Sequence, residues 1–219
     1  MGTILFRNLG IYQTHFNVAQ LKPIWDEVNK IQNDWEAADP SHLQLVGNIA
    51  REYNLHDSLD HIDKLLRPEL AKFDQETGWL GVQNQSHWPS PIKLVSAWVN
   101  FMGPNEYNPS HNHPGVFSWI MWLKIPFTRD GEAALHPYIP KERVLGGTTN
   151  FTYTNILGNV QHYTYPLETT FEGDCVIFPS PLYHTVYPFQ STNEYRISIA
   201  GNYALDNTGI DPFKPENVK

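Results

Sequence analysis

Residues 171–180 read Phe171-Glu172-Gly173-Asp174-Cys175-Val176-Ile177-Phe178-Pro179-Ser180. Gly173-Asp174 is a turn, and the apolar run Cys175–Phe178 that follows is closed by a proline, the pattern of a strand bounded by turn signals. Outward from this stretch, everything after residue 92 has the same character. Short runs of β-branched and aromatic residues are separated by Gly, Pro and Asn, and predict strands over 92–102, 116–125, 148–155, 161–166, 174–179, 183–188 and 194–203. Upstream the period changes. After a short strand at 3–7, Leu21, Ile24, Trp25, Val28, Ile31 and Trp35 recur at spacings of three and four, which predicts a helix beginning between Asn17 and Gln20, with Pro23 in its first turns. Leu59, Ile62, Leu66, Leu70 and Phe73 predict a second helix, capped at Asp57 or Ser58, ending before Gly78 and kinked at Pro68. The expected class is mainly β (α+β): a jelly-roll with N-terminal helices packed on one face. The expected organisation is one domain over 1–219, with a supporting segment 1–91, a β core 92–203 and a C-terminal extension 204–219. The segment 126–147, rich in Pro, Gly and charge, reads as a long loop of the kind that forms lids or contacts substrate.

Composition narrows the function. The 219 residues carry 15 Lys and Arg against 23 Asp and Glu, and the net charge of −8 makes nucleic acid or an anionic membrane an unlikely main partner. A small molecule or a protein is the expected substrate. Seven Trp and eleven Tyr suit a β core or an aromatic-lined pocket. The lone Cys175 reads as a buried small hydrophobe, and its isolation fits a reducing compartment. No segment reaches the roughly 18 apolar residues of a membrane span, so the expectation is a soluble, cytoplasmic protein.

The chemistry-bearing stretch is Asn108-Pro109-Ser110-His111-Asn112-His113-Pro114-Gly115. In extended chain, residues i and i+2 point to one side, so the imidazoles of His111 and His113 converge, as a first-row metal requires. His184, at the start of a later strand, supplies a remote third ligand. A His-x-His pair is common by chance among ten histidines, so the flanks decide. Twelve residues beyond His184 lies Tyr195-Arg196-Ile197-Ser198-Ile199-Ala200, where Arg196 and Ser198 share a face. A core-side Arg needs an anion. That anion is either a dicarboxylate co-substrate, with the Ser hydroxyl assisting, or an internal acid such as Glu172 or Asp174.

The combination of residues 171–180, His184 and Arg196-x-Ser198, preceded by Trp98-x-Asn100, His111-x-His113-Pro114 and Ser118, resembles the 2-oxoglutarate- and iron(II)-dependent oxygenases over about residues 92–203. It is closest to a branch with His-x-His-Pro in place of His-x-Asp/Glu. The resemblance implies a double-stranded β-helix with iron(II) held by His111, His113 and His184. It further implies that Arg196 with Ser198 holds the distal carboxylate of 2-oxoglutarate, that Asn100 is a further polar contact, and that O2 is the oxidant. Two departures stand out. Trp122 takes the place of a tyrosine that often lines the co-substrate pocket, and an indole donates a hydrogen bond but accepts none. Three neutral imidazoles also leave the metal's full charge unbalanced, the ligand set of zinc in carbonic anhydrase. Glu106, Asp130 and Glu132 are acids in flanking loops that could intrude on such a site. Tyr107, Tyr183 and Trp119 flank the ligands and are candidate pocket walls, whereas His87, His136 and His162 lack partners at ligand spacing. The expected function is a 2-oxoglutarate-dependent iron(II) dioxygenase that hydroxylates an unidentified substrate. The alternatives are a three-histidine zinc hydrolase or lyase, and a non-catalytic jelly-roll binding module.

Overall fold

The computed structural model describes residues 8–41, 45–83 and 92–206. The strand expected at 3–7, His87 and all but the first residues of the C-terminal extension lie outside the described residues.

Helix α1 spans Val18–Asn33 and starts where Asn17 and Gln20 cap each other reciprocally, the Asn17 side chain accepting from the Gln20 N–H and the Gln20 side chain from the Asn17 N–H. Leu21, Ile24, Val28 and Ile31 form its buried stripe. Helix α2, Leu59–Thr77, continues through Pro68 and stops at Gly78, whose φ of 66° is a left-handed conformation that glycine adopts without strain. A short helix α3, Trp79–Gln83, follows.

The strands are β1 Tyr12–His15, β2 Glu52–Asn54, β3 Ile92–Met102, β4 Asn108–His111, β5 Phe117–Lys124, β6 Thr149–Thr154, β7 Val160–Tyr165, β8 Asp174–Pro179, β9 Tyr183–Val186 and β10 Arg196–Leu205. They form two antiparallel sheets facing each other, one of order β1-β8-β5-β10-β3-β2 and one of order β4-β9-β6-β7. This is the jelly-roll expected from the strand pattern, in the double-stranded β-helix form that the resemblance implies. β1, β2 and β4 were not marked in the sequence. They are three or four residues long and largely polar, so no hydrophobic period reports them.

The large sheet is covered on both faces, and strand parity sorts its side chains. Val99, Phe101, Phe117, Trp119, Met121, Cys175, Ile177, Ile197 and Ile199 pack against α1 and α2. Met102, Trp122, Val176 and Phe178 point the other way, toward Phe151, Tyr165 and Val186 in the cluster between the sheets. Asp174, at the head of β8, accepts from Gln13 at 2.7 Å and Tyr165 Oη at 3.0 Å, and contacts His15 at 2.9 Å, so it joins β1, β7 and β8.

The long connection 126–147 contains a short helix α4, Arg129–Ala134, capped by Thr128, and one 3-10 turn, Lys141–Arg143. Its base is fixed rather than free. The fully buried Glu132 accepts from the backbone N–H of Gln190 and Ser191 and from Ser191 Oγ at 2.5–3.1 Å. Arg129 donates to the carbonyls of Gly146 and Val144. The next residue, Gly147, has φ 74° and presents its carbonyl to Arg196.

Removing this carboxylate strands several buried donors at once. Glu132→Ala should therefore lower the unfolding free energy by about 3 kcal/mol, with Glu132→Gln costing less, as read by chemical denaturation. Limited proteolysis should find the 126–147 connection more easily cut in the Ala variant.

Candidate metal centre

β4 pairs with β9 so that His111 lies directly opposite His184, and His184 in turn lies opposite Phe151 on β6. His113, just beyond β4, is tied by its backbone N–H to the Ser180 carbonyl at 2.9 Å. The three rings meet, with centroid separations of 4.2 Å for His111–His184, 4.9 Å for His111–His113 and 5.1 Å for His113–His184. One nitrogen from each lies within 4.8 Å of the other two.

The backbone decides which nitrogen is free. His111 Nδ1 is 2.7 Å from the Pro109 carbonyl, and His184 Nδ1 is 3.1 Å from the Leu182 carbonyl. A carbonyl oxygen only accepts, so each Nδ1 carries the proton and each Nε2 keeps its lone pair for a metal. Burial also keeps the rings neutral. It pushes His184 down to about 3 and His113 to about 4, with the neighbouring His111 adding to both shifts, and it lowers His111 as well. Three neutral imidazoles that bring one nitrogen each together, two of them with Nε2 free, are the donor set of a first-row divalent ion, so these residues fit one.

Flanking acids do not complete this set. Glu106 accepts from the N–H groups of Gly103 and Ala50, Asp130 pairs with Lys141, and Glu132 is occupied in its clasp. Tyr107 and Tyr183 are largely exposed, whereas Trp119, packed in the helix-facing core, also borders the cavity that opens on the triad. His136 lines a separate shallow pocket, and His162 contacts Thr152 on the β6–β7 hairpin.

A cavity of about 230 Å³ opens on the triad, lined by the three histidines and by Glu52, Trp98, Asn100, Asn108, Thr149 and Phe151 among others. Asn100 is thus brought to the triad. Arg196, Ser198 and Trp122 are not part of that lining; they are buried on the same inner face, with Ser198 opposite both Asn100 and Trp122 in register. Arg196 is 2% exposed, and the described contacts of its guanidinium are the Gly147 carbonyl at 3.4 Å and the Met102 sulfur at 2.7 Å. Its Nε has no partner, and burial alone pulls its pKa down to about 10, which leaves it a cation at neutral pH. Neither internal acid named from the sequence neutralises it: Glu172 accepts from the Ile125 N–H, and Asp174 serves β1 and β7. Trp122, stacked on Tyr165 at 5.1 Å, also has an unpartnered indole N–H. An unpaired buried cation beside orphaned donors is the cradle of an anion, and it fits a dicarboxylate.

Glu52 leaves no trace in the sequence pattern. It lies in a three-residue edge strand between the helices, without a motif or a period around it.

Residues 96–202 match the model of a family described as "Putative 2OG-Fe(II) oxygenase". Solved structures share the fold. One is a Pseudomonas putida prolyl-4-hydroxylase, with 13% identity over 90% of this chain and 93% of that one and a TM-score of 0.54. Another is the Trichoplax adhaerens prolyl hydroxylase in complex with a hypoxia inducible factor peptide, with 12% identity over 91% and 85% and a TM-score of 0.54. A third is the non-heme alpha-ketoglutarate-dependent carbocyclase from nogalamycin biosynthesis, with 10% identity over 96% and 87% and a TM-score of 0.54. No curated protein sequence matches the chain. Among the described residues, no helix is long and apolar enough to cross a membrane.

The lowered histidine pKa values fix the sign of the acid response. As pH falls below the ordinary imidazole value of 6.5, the unfolded chain takes up protons that the buried triad refuses. The metal-free protein should therefore lose stability between pH 6.5 and about 4, seen as a falling Tm. His184→Gln should make that fall shallower and abolish tight binding of a divalent metal.

Proposed function

We propose, from the match of residues 96–202 to the 2OG-Fe(II) oxygenase model, that the chain is a hydroxylase of a small-molecule or protein substrate, with His111, His113 and His184 holding iron(II) and Arg196 anchoring 2-oxoglutarate. The observation that carries this reading is the buried guanidinium of Arg196, without a counter-charge among the described residues, behind a triad of neutral histidines. When bound, iron(II) with 2-oxoglutarate and O2 supplies oxidative decarboxylation to succinate and CO2, coupled to oxidation of a substrate C–H bond.

The chain's own residues bind and orient. The three imidazoles would hold the metal at the wall of the cavity, where it would be reached by co-substrate and substrate. Carbonyls of Pro109 and Leu182 fix two of those rings, so neither can swing its protonated nitrogen inward. Arg196 supplies charge to the distal carboxylate of the co-substrate, with the Ser198 hydroxyl and the free indole N–H of Trp122 as further donors and Asn100 at the cavity end of the same row. A tryptophan here still serves, because a carboxylate asks only for donors. No general base is needed, and none of the cavity residues is given that role. A zinc hydrolase would use the three histidines but would leave Arg196 buried without purpose. A cytoplasmic location belongs to the same reading, supported by the lone buried Cys175.

Adding iron(II) and then 2-oxoglutarate without oxygen should give a weak visible metal-to-ligand charge-transfer band, and folded protein that shows none would defeat the proposal. Arg196→Ala should fold, because the group removed is an unpaired buried cation, and should bind 2-oxoglutarate roughly 100-fold more weakly, the loss of a charge-assisted bidentate contact. Metal binding should persist in that variant; parallel loss of both would make Arg196 a structural residue.

A further inference from the structure

Most buried acids of this protein are satisfied from within the chain. Glu27 accepts from the N–H groups of His56, Asp57 and Ser58, Asp74 from Leu80, Glu132 from Gln190 and Ser191, and Asp174 from Gln13 and Tyr165. Glu52 is different. It is 1% exposed, lines the cavity that holds the three histidines, and neither of its carboxylate oxygens has a hydrogen-bond partner among the described residues. Other unpartnered polar atoms belong to residues lining the same cavity: Asn100 Oδ1 on the same sheet, and Asn108 Oδ1 and the Thr149 hydroxyl on the opposing one. The charged neighbour it senses is another acid, Glu106, and burial first, then that repulsion, pushes its pKa up to about 7. A carboxylate buried for structural reasons collects donors during folding; one left bare in a cavity takes them from a ligand.

Strand register places this acid relative to the co-substrate cradle. Glu52 is opposite Asn100, Asn100 opposite Ser198, and Ser198 opposite Trp122, so the four make one row across β2, β3, β10 and β5. Two strand spacings, roughly 10 Å, separate the Glu52 and Ser198 backbones. The row is polarised. Its Trp122 end, with Arg196 two residues along β10 from Ser198, offers donors for an anion, and its Glu52 end presents a carboxyl group. From this juxtaposition we propose that Glu52 is the specificity-determining residue of the cavity, and that the prime substrate presents a cationic nitrogen group, an ammonium or guanidinium, to it. The proposal rests on the oxygenase reading for the identity of the site. The net charge of −8 favours approach of a cation.

The test uses the full chain loaded without oxygen with iron(II) and 2-oxoglutarate. The probes are size-matched blocked amino acids: the N-acetyl amides of lysine, arginine, norleucine, glutamine and glutamate. Binding is read from perturbation of the charge-transfer band and from calorimetry, and succinate release is read after oxygen is admitted. The lysine or arginine probe should bind and stimulate succinate release with roughly ten-fold or greater preference over norleucine and glutamate, the worth of a charge-assisted contact. Glu52→Gln should erase that preference while keeping the 2-oxoglutarate band, and Glu52→Asp should keep part of it. Removing an unpaired buried charge favours folding, so the Tm of Glu52→Gln at pH 8 should equal or exceed that of the unaltered protein.

A cavity that binds none of the cationic probes overturns the proposal, as does one that prefers glutamine or glutamate, or a Glu52→Gln protein that still prefers the cations. Loss of the 2-oxoglutarate band in Glu52→Gln would also overturn it, by placing Glu52 in the co-substrate cradle. Absence of that band in the unaltered protein defeats the oxygenase reading instead, and the calorimetric comparison of probes then still decides whether Glu52 binds cations.

Discussion

Burial of the six-stranded sheet on both faces is the constraint from which the rest of this structure follows. Helices α1 and α2 cover one face and the four-stranded sheet covers the other, so β5, β8 and most of β3 and β10 must place each successive side chain in one of two dry environments. The helix-facing set is almost wholly apolar, and it supplies the cohesion. The inward set is not. Asn100, Ser118, Arg196, Ser198 and Asn202 share that face with Trp122 and Met102. Polar groups in such a layer either find partners or define a site, and here they do both. Ser118, Ser180 and Asn202 satisfy one another, whereas Arg196 and Asn100 keep atoms without partners.

The electrostatics of the inner layer turn on that difference. Two kinds of buried ion coexist in one small protein. Glu27, Glu132 and Asp174 act as clasps, each gathering donors from distant segments and fixing a connection in place. Arg196 and Glu52 gather nothing comparable, and they carry opposite charges at separate points of the same face. Left without partners, each is costly in a low-dielectric interior. Strain of this sort is retained at binding sites because a ligand relieves it. The triad lines the same cavity as Glu52, from the side of the opposing sheet, kept neutral by burial and with two of its rings oriented by backbone carbonyls.

How much of this was legible depended on how the information is written along the chain. The helices and the long strands carry their own periodicity, and β3 and β8 fall at 92–102 and 174–179 where the residue pattern placed them. His111 and His113 are two residues apart, so their convergence is a local matter of extended geometry. Arg196 and Ser198 share a face for the same reason. The short polar strands β1, β2 and β4 left no such trace, because their pairing comes from neighbours far away in sequence. The connection 126–147 reads as a lid from composition; its anchoring by Glu132 to residues 190 and 191 is a contact across 58 positions or more.

The sequence by itself determined the strand periods, the histidine pair, the Arg-x-Ser alternation and the ordered pattern of the oxygenase family, all of which are local or nearly so. Only the tertiary structure decided whether Arg196 meets an internal acid or none, which nitrogen of each anchored histidine is free, and that Glu52 belongs to the cavity. Those outcomes depend on register and burial, and both are set by which strands become neighbours. A charge on a strand is visible in the sequence, but whether it is answered depends on the chain that folds over it.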